Sequence, residues 1–274
     1  MIAGGLGSDT LDYGAYTSSV TVNLLTQLAQ SVSAGVTQIE NVFGGFGDDV
    51  LTGSNENNLI NGGTGDDTLA GGVGNDTYIF SGDWGEDIVV ENLSSGLDVL
   101  NFVAITASLT VILDISLVVT DGVNRLFSQN MEFETLITGS GDDSFGLLSN
   151  QKINLIASGG SDHFVFGNGV RSNGNIDGGS GIDTLDFSAI GNSVLFTIAN
   201  GMLTARVGSS DQVLVQIGNT IEHLIGGLGN DTFQFMDGAM LADGTGTIDG
   251  RGGNADLLDF SNFTSSVMVD LSAH

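Results

Sequence analysis

Four nine-residue blocks follow one another without a gap from Gly44 to Ile79, reading GGFGDDVLT, GSNENNLIN, GGTGDDTLA and GGVGNDTYI. Single copies recur as GGLGSDTLD from Gly4, GGSGIDTLD from Gly178 and GGLGNDTFQ from Gly226. A fixed short period of this kind is typical of a solenoid, in which each repeat stacks only on its neighbours. The chain is therefore expected to grow along one axis rather than around a single globular core.

Each block combines a glycine turn, an Asp at its sixth position and a large apolar residue at its eighth, except that the second tandem block has Asn58 at the sixth position. Glycine permits the positive φ of a tight turn, whose carbonyl oxygens then face the same hollow as the Asp carboxylate. Calcium binds six to eight such hard oxygens, so two stacked turns are needed to complete a site. If one block forms half a coil of about 18 residues, blocks two apart stack. Asp49 then pairs with Asp67, and Asn58 pairs with Asp76.

The composition supports a metal-stabilised fold and excludes several classes of partner. The 274 residues carry a net charge of −28, and 26 of the 33 acidic residues are Asp, which favours short carboxylates at fixed backbone positions. This charge repels phosphate backbones and anionic membranes, so nucleic acid is excluded as a partner. Cysteine is absent, which excludes disulfides and thiolate metal sites. Because 41% of the residues are hydrophobic, the chain can still bury a core once its charge is neutralised.

The candidate calcium ligands are the glycines and the acidic or amide residues of the block pattern. They are Gly44, Gly45, Gly47, Asp49, Gly53, Asn58, Gly62, Gly63, Gly65, Asp67, Gly71, Gly72, Gly74, Asp76, Asp87, Gly4, Gly7, Asp9, Gly178, Gly181, Asp183, Gly226, Gly229, Asp231, Asp143 and Asp162. The apolar residues at the eighth position are expected to point between two sheets and to form the core. In the tandem array these are Leu51, Ile60, Leu69 and Tyr78.

A longer period lies over the nine-residue block. GGLGSDTLDYGAYTSSVTVNL from Gly4 resembles GGSGIDTLDFSAIGNSVLFTI from Gly178 and GGNADLLDFSNFTSSVMVDL from Gly252, and a degenerate copy begins near Gly96. A second signature follows, as IENVFGG, FETLITG and IEHLIGG. Alternating apolar residues in these stretches predict strands, and the lack of an apolar stripe at helical spacing predicts little helix. Only Leu24 to Ala34 reads equally well as a loop.

These two periods divide the chain into five parts. We expect a first long repeat at 1–43, the tandem calcium array at 44–92, a second long repeat with degenerate calcium turns at 93–177, a third at 178–251 and the start of a fourth at 252–274. Because both ends fall inside a long repeat, the chain is expected to be a slice of a longer protein. No run is apolar and long enough to span a bilayer, and residues 1–9 lack a signal peptide pattern, so any export signal is expected elsewhere.

The block G-G-x-G-x-D-x-U-x, where U is a large apolar residue, resembles the calcium-binding nonapeptide of the RTX, or hemolysin-type, proteins. The stretch GDWGEDIVVEN from Gly82 to Asn92 is similar to the segment that often follows such an array. The fold class expected is all-β, a right-handed parallel β-roll or β-solenoid with calcium ions in its turns, elaborated by longer strand-rich rungs. The resemblance also implies type I secretion and an extracellular or cell-surface location.

Plainer roles account for the other polar residues. Asp12, Asp186 and Asp259, which follow the apolar position, are expected to cap turns or face water, with an extra ligand role as the alternative. His163 and His223 lack the spacing of a metal or catalytic pair and are expected at a surface or strand edge. No nucleophile elbow or phosphate-binding loop is present in the sequence. The chain is therefore expected not to be an enzyme.

Three functions fit these observations. The first is a calcium-binding structural module of a large secreted bacterial surface or matrix protein, which binds several calcium ions, packs against neighbouring repeats and self-associates into a filament or lattice. The second is the repeat region of a secreted enzyme or toxin, whose catalytic domain would lie outside this sequence. The third is an adhesin segment that binds cell-surface polysaccharide along its strand-rich insertions.

Overall fold

The computed structural model describes residues 1–91, 96–208, 212–217, 220–241 and 246–269. Over these ranges the chain forms short β-strands joined by turns, with no helix. There is accordingly no helix in them that is long and apolar enough to cross a membrane. The expected all-β class is confirmed.

The strands follow the block periods along the chain. The first ten are β1 (Ile2–Ala3), β2 (Thr10–Asp12), β3 (Thr21–Asn23), β4 (Leu28–Ala29), β5 (Val36–Thr37), β6 (Asn41–Phe43), β7 (Val50–Thr52), β8 (Leu59–Asn61), β9 (Thr68–Ala70) and β10 (Thr77–Ile79). The next ten are β11 (Glu86–Val89), β12 (Val99–Asn101), β13 (Thr110–Leu113), β14 (Leu117–Thr120), β15 (Arg125–Ser128), β16 (Thr135–Ile137), β17 (Ser144–Leu147), β18 (Asn154–Ile156), β19 (His163–Phe166) and β20 (Ile176–Asp177). The last eight are β21 (Thr184–Asp186), β22 (Val194–Ala199), β23 (Met202–Val207), β24 (Gln212–Ile217), β25 (His223–Ile225), β26 (Thr232–Phe235), β27 (Thr247–Asp249) and β28 (Leu257–Asp259).

Successive blocks of the tandem array alternate between two large sheets, in which most neighbouring strands are parallel. The first sheet has the order β2-β6-β8-β10-β12-β16-β18-β20, and the second runs from β4 through β3, β7, β9 and β11 to β27. A further five-stranded sheet has the order β24-β23-β22-β26-β28, and β1 pairs with β5 in a separate two-stranded sheet. In the second sheet β7 pairs with β9 in the register Val50 to Thr68, and in the first β8 pairs with β10 in the register Leu59 to Thr77. Blocks two apart therefore stack, as the nine-residue period predicts.

The core lies between the two sheets and is filled by the eighth-position residues. Leu51, Ile60, Leu69 and Tyr78 are all fully buried, as expected. Each large apolar side chain removed from water in this way stabilises the fold by about 2 kcal/mol. Because the inward residues repeat at every half coil, the core is one continuous column along the solenoid.

Aromatic rings extend this column at the turns. The Phe80 and Phe102 rings stack with centroids 4.4 Å apart, and Trp84 packs edge-on against Phe102 at 5.7 Å. A second stack joins Phe166 and Phe187, also at 4.4 Å. Trp84 is buried, so its role is in packing rather than in stacking on an external ligand.

The first three long repeats each depart from the parallel pattern by an antiparallel segment, or excursion, of the chain. In the second repeat β13, β14 and β15 form an antiparallel meander, and in the third repeat β22, β23 and β24 do the same. The excursion in the first repeat is shorter, because only β4 pairs antiparallel to β3. Leu28–Ala29 is therefore a strand within the stretch that the sequence leaves open as a loop.

The strand before each excursion pairs in parallel with the strand after it. Strand β2 pairs with β6, β12 with β16, and β21 with β25. The three partners β6, β16 and β25 contain or border the second signature. Each excursion thus lies on one side of the solenoid, while the parallel stacking of strands continues without interruption on the other side. The strand-rich insertions are therefore enlarged coils of one solenoid.

Candidate calcium sites

The sixth-position acids of stacked blocks form ladders along the solenoid. The backbone N–H of Asp49 donates to Oδ1 of Asp67 at 2.7 Å, and the N–H of Asp67 donates to Oδ1 of Asp87 at 2.9 Å. The same contact extends one coil further back, where the Val20 N–H donates to Oδ1 of Asp49 at 2.8 Å. One oxygen of each carboxylate therefore accepts a hydrogen bond from the backbone of the preceding coil.

A second ladder lies on the other side of the tandem array. The N–H of Asn58 donates to Oδ1 of Asp76 at 2.7 Å, and that of Asp76 donates to Oδ1 of Asp98 at 2.8 Å. The ladder ends at Glu134, whose Oε2 accepts the N–H of Asp98 at 2.6 Å. Glu134 belongs to the second signature rather than to a nine-residue block.

A third ladder runs through the second and third long repeats. Oδ1 of Asp143 accepts the Leu109 N–H, and the N–H groups of Asp143 and Asp162 donate to Asp162 and Asp183 at 2.7 and 2.8 Å. Here too a glutamate of the second signature ends the series, because the Asp183 N–H donates to Oε2 of Glu222 at 2.7 Å.

Two short ladders complete the set. The N–H of Asp9 donates to Oε2 of Glu40 at 3.0 Å near the start of the chain. Near its end Oδ1 of Asp231 accepts the Val194 N–H at 2.7 Å, and the Asp231 N–H donates to Oδ1 of Asp256 at 2.9 Å. Each acid of the sequence-predicted set thus lies in a ladder.

The second carboxylate oxygens show whether these ladders fit a cation. In several ladder acids Oδ2 is buried and accepts no hydrogen bond, namely in Asp9, Asp67, Asp76, Asp162 and Asp183. A buried anionic oxygen without a donor is costly unless a cation satisfies it. Hard, all-oxygen donors of this kind are the ligands that calcium prefers.

The first-position glycines leave room beside these oxygens. A Cβ built on Gly62 would overlap Oδ2 of Asp67, and a Cβ on Gly71 would overlap Oδ2 of Asp76. A Cβ on Gly44 would overlap both its own block's Asp49 and the carbonyl of Gly62 in the next coil. The hollow is therefore lined by carboxylate and carbonyl oxygens, as the block chemistry predicts.

The remaining predicted glycines shape the turns or allow the coils to approach. Positive φ angles occur at Gly63, Gly65, Gly72, Gly74, Gly7 and Gly181. Gly45, Gly47 and Gly229 have no positive φ, but a Cβ on each would clash with backbone of an adjacent coil. First-position Gly4, Gly53, Gly178 and Gly226 each face the sixth-position side chain of their own block. The predicted glycines and acids are thus brought together in the turns.

Electrostatics make the ladders unfavourable when they are ionised without a metal. Burial raises the pKa of Asp67 to about 7 and that of Asp76 to about 6, although hydrogen bonds from the backbone partly offset the rise. Burial raises the pKa of both Asp87 and Asp162 to about 8, with repulsion from the neighbouring ladder carboxylates adding to it. A bound cation would reverse this cost because it favours the ionised form.

The rung at Asn58 is built differently. Its Nδ2 donates to the Glu40 carbonyl at 2.6 Å and to Ser54 Oγ at 3.0 Å, and its Oδ1 accepts the Ser54 N–H at 2.7 Å. Both the Nδ2 and the Oδ1 of the neutral Asn58 amide thus have hydrogen-bond partners within the protein. Only Asp76 contributes a negative charge to this pair. Because ligand charge tunes calcium affinity, the Asn58 and Asp76 pair is expected to bind calcium more weakly than the Asp49 and Asp67 pair.

Sequence reasoning missed the ladder role of Glu40, Glu134 and Glu222. Each occupies the position of a block Asp, because it stands two residues before a buried Val or Leu that faces into the core. That spacing, an acid followed at the second position by a buried apolar residue, is the signal that identifies it. Asp98 and Asp256 also belong to ladders, although the sequence gives them only a loose block.

The other acids and the histidines have local roles. Oδ1 of Asp12, Asp186 and Asp259 accepts the N–H two residues later in each case, so all three cap turns as expected. His163 Nε2 lies 3.1 Å from Oδ2 of Asp186, and His223 Nδ1 lies 2.8 Å from Thr247 Oγ1. Both histidines lie on strands.

The coils, the glycine hollows and the carboxylate ladders together define a calcium-binding repeat protein with a parallel β-solenoid fold. The family model of the RTX calcium-binding nonapeptide repeat matches the chain in four copies, over residues 43–78 and 217–234. The chain therefore contains RTX calcium-binding repeats, as the sequence resemblance predicts. A comparison with curated proteins finds no match to the chain.

Proposed function

We propose that this chain is a structural module of a large secreted bacterial surface or matrix protein, and that it folds on calcium binding outside the cell. The observation that carries the proposal is the row of buried ladder carboxylates whose second oxygen has no donor. The chain has only five Lys and Arg residues against 33 acids, so its own bases are too few to neutralise them. Calcium supplies the missing positive charge and binds the carboxylate and carbonyl oxygens.

The chain's own groups couple ion binding to folding. One oxygen of each ladder acid holds the N–H of the preceding coil, while the other faces the glycine hollow. The hollow exists only when two coils are stacked, so the unfolded chain offers no comparable site. Extracellular calcium modules bind with dissociation constants of about 0.1–1 mM. Such affinity favours an unfolded chain inside the cell and a folded one after export.

A structural rather than catalytic role is supported by the use of the polar side chains. The buried acids accept backbone N–H groups in the ladders, and the carboxylates of Asp12, Asp186 and Asp259 cap turns. His163 contacts one of those capping acids instead of a nucleophile. With this assignment the chain provides a stiff, calcium-dependent spacer along which copies or polysaccharide could be arrayed.

The experiment is to follow the purified chain by small-angle scattering and circular dichroism in excess chelator, in magnesium and in calcium. We expect an expanded chain in chelator, compaction and a β signal in calcium, and little effect of magnesium, which demands octahedral geometry and retains its water. An equal β signal in chelator and calcium would contradict calcium-dependent folding. Turnover in a hydrolase and lyase screen, lost on changing His163 or His223, would contradict the structural role.

A further inference from the structure

Three buried carboxylates meet where the tandem array joins the second long repeat. Asp76, Glu91 and Asp98 each place one carboxylate oxygen within 4.8 Å of an oxygen of the other two. All three residues are at most 1% exposed. Among the residues described, no other group of three acidic or histidine side chains is this close.

The three residues come from different parts of the coil. Asp76 and Asp98 precede β10 and β12 and are neighbours in a ladder, whereas Glu91 follows β11 of the opposite sheet. Glu91 is therefore outside the block pattern that supplies the other ligands. It is held by Tyr78, whose hydroxyl donates to Glu91 Oε1 and accepts the N–H of Gly71.

Asp76 brings an unsatisfied carboxylate oxygen to this cluster. Oδ2 of Asp76 is buried with no donor within reach, although Oδ1 accepts the Asn58 N–H. No described Lys or Arg side chain forms an ion pair with Asp76. Several buried carboxylates at this separation repel one another strongly, and a bound cation is the usual way in which proteins offset such a cost.

We propose that Asp76, Glu91 and Asp98 hold one calcium ion in a three-carboxylate site that clamps the end of the tandem array to the next long repeat. The donors are all hard oxygens, with no imidazole or thiolate, which favours calcium over zinc or copper. Ligand charge tunes calcium affinity, and this site has three carboxylates where the Asn58 rung contributes a neutral amide. It is therefore the first site to fill in a titration.

The three-carboxylate site rests on the proposed function, but it can be tested separately from calcium-dependent folding because Tyr78 is next to the site. Terbium replaces calcium in oxygen sites and emits when a nearby tyrosine is excited. In a terbium titration of the whole chain, emission should rise with the first equivalents. Tyr78→Phe should remove that early emission.

Glu91→Gln keeps an oxygen that can accept the Tyr78 hydroxyl but removes one charge from the site. We expect it to weaken the first-filled calcium site by about tenfold or more, with the weaker sites unchanged. Asp66→Asn is the matched control, because this exposed Asp in the same array loses the same charge. Identical calcium titrations for Glu91→Gln and the unchanged chain would overturn the proposal.

The outcomes separate this site from the wider function. If the chain folds in chelator but Glu91→Gln still loses its tightest site, the site stands and calcium-dependent folding fails. If folding requires calcium but Glu91→Gln has no effect, the site fails and the proposed function stands. Should Glu91→Gln not fold in saturating calcium, Tyr78→Phe decides, because early terbium emission that persists in this variant would place the first-filled site elsewhere.

Discussion

Replacing Asp67 by Asn should change the stability of the fold in opposite directions with and without calcium. Asn is nearly the same shape, and its Oδ1 can still accept the N–H that Asp49 donates at 2.7 Å. It cannot carry the negative charge that the structure places beside Gly62. A residue that serves only to hold the backbone would give a small change of the same sign in both conditions.

The size of the effect without calcium follows from the burial of Asp67. Burial raises its pKa from 3.8 to about 7. At roughly 1.4 kcal/mol per pKa unit, the ionised carboxylate costs the calcium-free fold about 4 kcal/mol at pH 8. Asn removes this cost, so Asp67→Asn should stabilise the calcium-free fold by up to that amount. In limiting calcium the lost ligand should raise the midpoint calcium concentration of folding by about tenfold.

The assay needs a folded population in chelator. Trimethylamine N-oxide is excluded from protein surfaces and favours compact states, so its concentration can be raised at pH 8 until the β signal appears by circular dichroism. Asp67→Asn should fold at lower osmolyte concentration than the unchanged chain, and at higher calcium concentration when no osmolyte is present. As calcium approaches saturation, the difference in stability between Asp67→Asn and the unchanged chain should shrink only gradually, since stabilisation by a ligand grows with the logarithm of its concentration.

Asp66→Asn is the control, because it changes the neighbouring, exposed carboxylate of the same block. It should shift neither midpoint by more than a small fraction of the Asp67→Asn effect. If both variants raise the calcium midpoint equally, or if Asp67→Asn destabilises the fold in chelator, the Asp67 carboxylate is not the metal-linked group that the ladder geometry implies.

Three further predictions follow from the same sites. The pKa of Asp87 and of Asp162 in the fold is about 8, above the value of about 3.9 in an unfolded chain, so the calcium-free fold should gain stability as the pH falls from 8 towards 4. Protons then compete with the metal, and calorimetry should show calcium affinity falling over the same range; affinity independent of pH would contradict it. Gly62→Ala should abolish compaction at millimolar calcium because its Cβ fills the hollow, whereas Gly82→Ala, with open space around it, should cost about 1 kcal/mol in thermal melts. Asn58→Asp should raise the affinity of its rung in a calcium titration, and unchanged binding would mean that this rung holds no metal.

The sequence was sufficient to predict the regular part of the solenoid. Nine residues per half coil place Asp49 over Asp67 and turn Leu51 and Leu69 into the core, because strand side chains alternate between faces. These outcomes depend only on local glycine geometry and on a fixed period. Both can be read from a single block and repeated along the chain.

The antiparallel excursions were harder to predict, although one signal was present. Asn200 and Gly201 form the two-residue loop between β22 and β23, and Gly201 has a φ of 72°. Asn-Gly between alternating apolar residues is a strong signal for a hairpin. Strands and a longer strand-rich rung were predicted here, but the hairpin was not. The loop Asp121–Asn124 is stabilised in another way, since the Asp121 carboxylate accepts the N–H groups of Val123 and Asn124.

The glutamate rungs and the three-carboxylate site could not be read from the blocks, because they depend on which segments meet in space. Glu134 reaches its ladder only after a meander of three strands, and its alignment with Asp98 follows from the pairing of β12 with β16. Glu91 meets Asp76 across the two sheets. Such contacts join residues from different periods, so no single repeat contains them.

The number of single strands between excursions decides which sheet carries the next one. Seven strands, β6 to β12, separate the first excursion from the second, so both lie on the second sheet. Six strands, β16 to β21, separate the second from the third, which moves the third excursion off that sheet. At about 4.8 Å per strand, the two extra strands of a full meander lengthen one side of the stack by about 10 Å. We expect the stack to curve away from each meander, so the count of blocks between long repeats sets the direction in which a solenoid of this kind bends.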